Sequence, residues 1–327
     1  MSFPVPETPL WYVYDSTKIQ EYLDCPRQFF YKRILGWDRE TPWSNDLQFG
    51  KAWHKAMEIL YNGGFSDANV ARAYEEGFLP TYREVFPPDS DELFEPKTPD
   101  NALIGLSAYT VYPANVDDLE RFKVIKTEIA GSVLIDVDGT AIIYKIDLLY
   151  QDLKSNKYGV LEHKTKKNSF SRTWTDQWDQ SIQIGNYNHA LNMLVGNDDL
   201  SNIEGITVNG AAFLKTKNDF ARVHVKKNSD MMVDHIWTVR EIIDRMKMDL
   251  ESLEECSDSD RIMMCFPRNP QSCTKYYGCE FMNFCSAWPN PLRRCQNPPI
   301  GYVIRHWDPL AEEAATERID LTLKEYV

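Results

Sequence analysis

The chain has 327 residues, 43% of them hydrophobic, which is enough apolar material for one large domain or two domains with a buried core. Its net charge of -13 argues against a broad, non-specific nucleic-acid binder, because such proteins are usually basic. No run of 18 apolar residues occurs and residues 1–6 lack the features of a signal peptide, so we expect a cytoplasmic protein with no membrane span.

Helix signals open the chain. A Ser or Thr cap, at Ser16 or Thr17, precedes the segment 18–23, and Gln20 stands three places after Thr17, as in a capping box. Pro26 fits the first position of a second helix, because proline there loses no helical hydrogen bond. Cys25 is therefore expected at the junction of two helices, where backbone N–H groups favour a thiolate.

A third helix is predicted from Gly50 to Leu60, with Trp53 and Met57 on its apolar face. His54 lies one turn after Gly50, off that face. A single histidine on a helix is usually a surface residue or a satisfied core residue. If it faces a cluster of acids instead, its neutral imidazole would complete a metal site and favour manganese somewhat over magnesium. Residues 66–112 are predicted to be helical with a proline-broken loop.

From residue 121 onward the pattern changes to β structure. Asp138-Gly139 between two alternating runs is a strong hairpin signal. The predicted strands are 122–129, 133–137, 141–150, 159–162, 206–216 and 222–225, and the predicted helices are 176–194, 230–255 and a short one at 311–318. This order predicts an α/β fold with a mixed central sheet flanked by helices.

The strongest chemical signal is an acid at one strand end and an acid with a lysine at the next. Asp147 closes one apolar run, and Glu162-His163-Lys164 closes another. Strand side chains alternate faces, so Glu162 and Lys164 share one side, and hairpin pairing could bring Asp147 beside them. Two carboxylates hold a divalent cation, and the lysine meets the attacking water and the phosphate. The spacing alone recurs by chance, so the strand context supplies the specificity.

Two further groups lie close to this motif in sequence. Lys164, Lys166 and Lys167 form a small basic cluster, which could equally be a solvated turn. Gln183 and Tyr187 lie one turn apart on the following helix. They are either ordinary helix surface or a pair that orients the scissile phosphate or the lysine.

The seven cysteines are the second strong feature, and their odd number argues against a disulfide framework. Cys273, Cys279 and Cys285 recur every six residues, and Cys25 is the best-placed fourth ligand. Four cysteines fit either tetrahedral zinc or a [4Fe–4S] cluster, although the close pairs typical of zinc sites are missing. The alternative is a set of ordinary buried thiols.

Together these motifs resemble the PD-(D/E)xK nucleases of the RecB-like branch, especially those with an iron–sulfur cluster. Such proteins are the CRISPR-adaptation exonucleases and the nuclease domains of bacterial helicase–nuclease complexes. The resemblance covers about residues 15–286 and rests on six ordered motifs, namely Cys25-Pro26-Arg27, Gly50 to His54, Ile146-Asp147, Glu162-His163-Lys164-Thr165, Gln183 to Tyr187, and Cys273, Cys279 and Cys285. Two departures stand out: Tyr144-Lys145 replaces a frequent Gly-Arg, and Glu162 replaces a frequent Asp.

The resemblance implies a restriction-endonuclease-like core and metal-dependent DNA hydrolysis. It implies that one or two Mg²⁺ or Mn²⁺ ions are held by His54, Asp147, Glu162 and the backbone carbonyl of His163. Lys164 would orient or activate the water and stabilise charge in the transition state, with Gln183 and Tyr187 beside it. A [4Fe–4S] cluster would clamp the N-terminal helix to the C-terminal segment through Cys25, Cys273, Cys279 and Cys285.

The resemblance also implies a domain plan. We expect one nuclease domain over 1–295, with a helical insertion at about 60–115, a cluster segment at 265–295, and a tail at 296–327.

We therefore expect a DNA exonuclease, with endonuclease activity also open, acting on single-stranded or frayed ends in recombination, repair or phage DNA processing. Its expected partners are DNA and recombination or helicase proteins, in the cytoplasm or in a phage host's cytoplasm. Two alternatives remain: a non-catalytic iron–sulfur DNA-binding or scaffold subunit of a nuclease complex, and a zinc-stapled RNA-processing protein. The intact Asp147, Glu162 and Lys164 favour the enzyme, because a degenerate relative is expected to lose one of them.

Overall fold

The computed structural model describes residues 7–41, 44–195, 200–275, 278–309, 311 and 318–324. The chain divides into two compact units. Unit 1 combines 1–42, 132–143 and 233–315, and unit 2 combines 43–131, 144–232 and 316–327. None of the described helices is both long and apolar enough to cross a lipid bilayer.

The described elements are numbered in chain order. The helices are α1 (Ser16–Asp24), α2 (Pro26–Phe29), α3 (Asn45–Gly63), α4 (Asp67–Arg72), α5 (Leu79–Arg83), α6 (Pro99–Val111), α7 (Pro113–Arg121), α8 (Arg172–Asp176), α9 (Ile182–Val195), α10 (Ser229–Glu255) and α11 (Met282–Ala287). The strands are β1 (Tyr14–Asp15), β2 (Trp37–Arg39), β3 (Phe122–Leu134), β4 (Ala141–Asp152), β5 (Tyr158–Lys166), β6 (Ile203–Phe213), β7 (Asn218–Val225) and β8 (Tyr302–Ile304).

The strands confirm the predicted fold class, a mixed central sheet flanked by helices. Five strands follow the order β1-β4-β5-β6-β7, and β3 also pairs with β4. The β4–β5 and β6–β7 pairs are antiparallel, whereas β5 and β6 are parallel. Residues 141–143 of β4 belong to unit 1, where Ile142 and Ile143 pair in parallel with β1.

Unit 1 is built on aromatic packing between the two ends of the chain. The ring of Tyr31 stacks on Trp37, with centroids 5.4 Å apart, and lies 5.3 Å from Phe281. Phe30 lies 5.4 Å from Phe266. Because such rings bury large apolar areas, they hold the N-terminal helices against residues 266–284.

The caps of two helices differ from the prediction. The N-cap of α1 is Asp15, whose carboxylate accepts from the Lys18 amide at 2.9 Å, so Thr17 lies inside the helix. Helix α3 begins at Asn45 behind a Ser44 cap, so Gly50 lies within the helix rather than at its start. Asp and Ser side chains both accept hydrogen bonds from the free amides of a helix's first turn. Asp15 and Ser44 therefore take the N-cap positions, ahead of the residues that the sequence pattern predicted there.

Unit 2 has a core between α3 and the sheet. Phe49 and Trp53 of α3 pack against Phe213 of β6, with ring centroids 4.7 and 5.0 Å apart. The helical segment predicted for 66–112 is present as α4, α5 and α6, with a proline-led 3₁₀ turn over Pro88–Phe94. The helix face led by Trp53 is therefore the buried face that the periodicity predicts.

Two element predictions are wrong in their boundaries. The strands expected at 122–129 and 133–137 are one continuous strand, β3, which ends at Leu134. Gly131 within this strand leaves room for the C-terminal segment, whose Ile319 amide donates to the Ala130 carbonyl at 2.9 Å. The helix expected over 176–194 begins later, as α9 at Ile182, because Asp176 ends the short helix α8 and residues 177–181 are not helical. Ser181 provides the new start by accepting from the Ile184 amide at 3.4 Å. The short helix predicted at 311–318 lies largely outside the described residues.

Candidate functional site

The candidate site in unit 2 begins where the β4–β5 ladder ends. The last paired residues are Leu148 and Leu161, so Asp147 and Glu162 are the next residues on the two strands. Asp147 Oδ2 accepts a hydrogen bond from the His163 amide at 2.7 Å. Both carboxylates are buried, with Glu162 only 1% exposed. The end of the hairpin thus places two acids side by side in a poorly solvated position.

Glu162 is held from the side of β5 and α9. Lys164 Nζ donates to Glu162 Oε1 at 2.6 Å, and Gln183 Nε2 donates to the same oxygen at 3.2 Å. Gln183 Nε2 also donates to the Tyr187 hydroxyl at 2.9 Å. The alternation of β5 and the one-turn spacing on α9 therefore bring Glu162, Lys164, Gln183 and Tyr187 together.

His54 of α3 bridges the remaining groups. Its Nδ1 lies 3.2 Å from Asp147 Oδ1, and its Nε2 lies 2.9 Å from the His163 carbonyl oxygen. Burial lowers the pKa of His54, but the Asp147 carboxylate outweighs burial and raises that pKa to about 9. Without a metal, His54 is therefore an imidazolium that balances the charge of Asp147.

The two carboxyl groups respond oppositely to the same surroundings. Burial and the charge of Asp147 raise the pKa of Glu162 to about 7. Burial also acts to raise the pKa of Asp147, but His54 beside it holds that pKa well below its usual range. Burial lowers the pKa of Lys164, yet Glu162 and Asp147 outweigh burial and raise it. Lys164 is thus a protonated cation at neutral pH, with no lone pair free to accept a proton.

The His163 side chain points away from the acids, as alternation requires. Its ring packs near Tyr61 and Tyr109, with centroids 5.7 and 6.4 Å away. Burial lowers the pKa of His163 to about 3, so the ring is neutral. Only its backbone carbonyl and amide reach the site, which is the role that the resemblance implies for this residue.

Glu128 of β3 is a site residue that sequence reasoning missed. Ligand atoms of His54, Glu128 and Asp147 all lie within 4.8 Å of one another. Glu128 is buried, pairs with Lys145 Nζ at 3.0 Å, and has a φ of 52°, in the left-handed region. The sequence did contain a signal for this residue. Strand alternation places Glu128 on the same face as Phe122 and Val124, where an apolar residue is expected.

The residues present fit a divalent cation. Glu162 Oε2 is buried and has no hydrogen-bond partner among the described residues, which is costly for a polar atom unless something binds it. Carboxylate oxygens, a backbone carbonyl and an imidazole are ligands that Mg²⁺ and Mn²⁺ accept. His54, Asp147, Glu162 and the His163 carbonyl could therefore hold a cation, with Glu128 beside them.

The cysteines of unit 1 form a second candidate site. A cavity of about 180 Å³ is lined by four cysteine side chains together with Gln28, Tyr31 and Arg268, the cysteines being Cys25, Cys273, Cys279 and Cys285. The Asn269 amide donates to Cys25 Sγ at 3.4 Å, and the Cys279 amide donates to the Cys273 carbonyl at 2.8 Å. Burial raises the pKa of the Cys279 and Cys285 thiols.

The spacing of these sulfurs bears on what they could bind. Within the described part of the chain, no three of the four lie within 4.8 Å of one another. Four sulfurs around zinc would be about 3.8 Å apart, as follows from tetrahedral bonds of about 2.3 Å. Among the described residues, the four sulfurs are thus not gathered at the spacing of zinc ligands. Cys256, Cys265 and Cys295 do not line it.

Comparison with known proteins gives a family and two distant structural likenesses. The family model described as PD-(D/E)XK nuclease superfamily matches residues 16–286. The crystal structure described as "Putative exonuclease" from Eubacterium rectale shares 11% identity at a TM-score of 0.40, covering 75% of this chain and 82% of that chain. The crystal structure of SSO0001 shares 11% identity at a TM-score of 0.28, covering 72% and 87%. No curated protein matches the sequence.

Proposed function

The chain belongs to the PD-(D/E)XK nuclease superfamily, and on that premise we propose that it is a metal-dependent deoxyribonuclease of the RecB-like branch. One observation carries the proposal. At the open end of the β4–β5 ladder, Asp147 and Glu162 meet Lys164 and His54, and no hydrogen-bond partner of Glu162 Oε2 lies in the described part of the chain. A buried, unsatisfied carboxylate oxygen beside a second carboxylate is what a cation-binding hydrolase requires.

The cation would be held by His54, Asp147, Glu162 and the His163 carbonyl. When bound, a divalent ion polarises the phosphoryl oxygen and lowers the pKa of a bound water. His54 must give up its proton to act as a ligand. The ion then balances the negative charge of Asp147 in place of the imidazolium.

Lys164 supplies positive charge to the phosphate. In hydrolysis, the water gives up a proton to solvent and its oxygen forms a new bond to phosphorus, while the bond to the leaving oxygen breaks and that oxygen takes up a proton from solvent. Because the pKa of Lys164 is raised, we assign it to stabilising negative charge on the phosphoryl group and orienting the water, rather than to accepting the water's proton. Gln183 keeps the Glu162 and Tyr187 side chains in place through its amide.

Substitution of the site tests the activity directly. We expect Asp147→Ala and Lys164→Ala to lose at least about 100-fold of Mn²⁺-dependent degradation of labelled single-stranded DNA, with unchanged circular dichroism. Asp176→Ala and Lys215→Ala, which change exposed residues elsewhere in unit 2, should retain activity. Full activity in both site variants would remove the assignment.

We propose that the substrate is a single-stranded or frayed DNA end, as arises in recombination, repair or phage DNA processing in a cell's cytoplasm. Oligonucleotides labelled at either end, with and without blocked ends, separate exonuclease from endonuclease action. An exonuclease releases short products from one end and is stopped by the block. Cleavage of a circular single strand at the same rate would instead show an endonuclease.

For unit 1 we propose a [4Fe–4S] cluster bound by Cys25, Cys273, Cys279 and Cys285. The cavity that the four cysteines line and the lack of closely spaced cysteine pairs in the segment 273–285 support the cluster over zinc. Protein purified without oxygen should be brown, with a broad absorbance band near about 400 nm. Colourless protein with one equivalent of zinc would contradict the proposal.

A further inference from the structure

A buried lysine lies beside the catalytic strand without a role in the chemistry above. Lys97 is 2% exposed, and its Nζ donates to Thr165 Oγ1 at 2.9 Å. Thr165 directly follows Lys164 on β5. Burial lowers the pKa of Lys97, although the carboxylate of Asp46 opposes this effect. A buried ammonium is costly unless an anion accompanies it, so the identity of that anion matters.

In this structure the anion is the carboxylate of Asp46. Its Oδ1 lies 3.1 Å from Lys97 Nζ, and its Oδ2 lies 3.3 Å from Lys167 Nζ. Yet the Asp46 side chain is 54% exposed, and Lys167 is also partly exposed. The Asp46 carboxylate can therefore turn into solvent when another anion takes its place beside the buried Lys97 ammonium.

The position of this group relates it to the candidate active site. Gly50 of α3 lies one helical turn before His54, and a methyl group on Gly50 would be 3.7 Å from Thr165 Oγ1. Lys97 and Thr165 therefore lie about one helical turn along α3 from His54. Two ammonium groups that share one carboxylate, with the Thr165 hydroxyl beside one of them, are also a suitable donor set for a phosphodiester.

We propose that Lys97, Lys167 and the Thr165 hydroxyl bind a second phosphodiester of the substrate strand, and that Asp46 occupies this site in the free protein. The inference rests on the proposed nuclease function, because it places the second phosphate next to the scissile one. On binding, the strand's phosphate takes over the hydrogen bonds of Asp46, whose carboxylate turns into solvent. Asp46 thus acts as an internal competitor that weakens DNA binding.

The test measures binding without cleavage. A short fluorescent oligothymidylate is titrated with protein in EDTA, and fluorescence anisotropy gives the affinity. Asp46→Asn should bind about five- to tenfold more tightly, because the competing carboxylate is lost while the lysines remain. Lys167→Met should bind several-fold more weakly, and its slope of log affinity against log salt should fall by about 0.7, the value for one phosphate contact on a single strand.

The pair Lys215 and Glu95 is a matched control. Lys215 Nζ lies 3.6 Å from Glu95 Oε2, and both side chains are exposed. This pair is also a lysine and a carboxylate, but it does not include Lys97, Lys167 or Thr165. Glu95→Gln and Lys215→Met should leave the affinity unchanged. An oligomer with uncharged methylphosphonate linkages should bind wild type and Asp46→Asn equally.

Three outcomes overturn the proposal. They are an unchanged affinity in folded Asp46→Asn, an equal gain for the methylphosphonate oligomer, and an Asp46→Asn protein that unfolds because Lys97 needs its carboxylate. The test uses Lys167→Met rather than Lys97→Met, because removal of the buried Lys97 charge would also change the stability of the protein. Metal-dependent cleavage is measured separately, so a protein that binds DNA as expected but never cleaves it would contradict the nuclease proposal and leave the phosphate site standing.

Discussion

The charges of single residues at the candidate site depend on one another. Asp147 keeps its negative charge because His54 is positive beside it, and Glu162 is pushed towards neutrality by burial and by Asp147. The same three side chains are the proposed ligands of a cation. Protons and the metal therefore compete for the same atoms, which makes metal affinity depend on pH.

We predict that Mn²⁺ affinity rises with pH up to about 9. Below pH 7 the cation must displace protons from both Glu162, with a pKa of about 7, and His54, with a pKa of about 9. Between pH 7 and 9 only the His54 proton remains, so the rise is less steep, and above pH 9 it ends. Isothermal titration calorimetry in buffers of different ionisation enthalpy counts the protons released.

His54→Ala should remove the dependence between pH 7 and 9 as well as weakening the binding. His224→Ala, which changes an exposed histidine of β7, should leave the pH profile unchanged. An affinity that is independent of pH in the wild type would contradict the proposed ligands.

Glu128 provides a second prediction for a single residue. Because a carboxylate oxygen of Glu128 lies within 4.8 Å of ligand atoms of His54 and Asp147, Glu128→Gln should lower Mn²⁺ affinity by about tenfold while the fold is retained. Glu120→Gln, an exposed change on α7, is the matched control. Electron paramagnetic resonance of free Mn²⁺ measures the affinity, and identical values for both variants would exclude Glu128 from the site.

At the scale of elements, two glycines differ in whether the structure has room for a side chain at their position. A Cβ on Gly131 of β3 would lie 1.8 Å from the Ile319 carbonyl oxygen, which belongs to the backbone and cannot move aside. A Cβ on Gly50 inside α3 would meet only Thr165 Oγ1, at an ordinary 3.7 Å. Gly131 is therefore needed for close approach of the C-terminal segment, whereas Gly50 only weakens its helix.

The expected stabilities follow from this difference. Gly131→Ala should lower the free energy of unfolding by about 1–3 kcal/mol through overpacking. Gly50→Ala should raise it by about 0.5–1 kcal/mol, the usual gain of alanine over glycine inside a helix. Urea unfolding followed by circular dichroism measures both. A stabilised Gly131→Ala would mean that the C-terminal segment does not lie against β3.

At the scale of the whole molecule, unit 1 is assembled from three separate stretches of the chain. The proposed cluster would join Cys25 to Cys273, Cys279 and Cys285, across about 250 residues. In the chain-entropy model for cross-links, closing a loop of about that length contributes about 5 kcal/mol. The plan of a single domain over 1–295, with a helical insertion and a C-terminal tail, stays a prediction.

We predict that Cys279→Ser loses the cluster absorbance and makes unit 1 sensitive to protease. Its thiol lines the cavity, and the ends of the chain lose their cross-link without it. Cys256→Ser changes a half-buried cysteine of the same unit that does not line the cavity, and should keep both the colour and the resistance. A colourless but stable and active Cys279→Ser protein would contradict a structural role for the cluster.

Much of the fold was predictable because its signals are local. The alternation before Asp147 and Glu162 follows from the two-residue period of a strand, and the spacing of Gln183 and Tyr187 follows from the helical turn. The errors came where distant chain segments intervene. Strand β3 runs without a break through the predicted gap at 130–132, where Gly131 leaves room for Ile319, and the helix predicted from 176 begins only after Ser181.

The sequence by itself determined the fold class, the position of the hairpin and the residue types able to hold a cation or a cluster, because backbone periodicity and side-chain chemistry are properties of short segments. Only the tertiary structure decided that Glu128 lies beside His54 and Asp147, that Asp46 lies between Lys97 and Lys167, and that four cysteines line one cavity. Those neighbours come from remote parts of the chain. Electrostatic interactions and burial depend on distance in space, which no local pattern encodes.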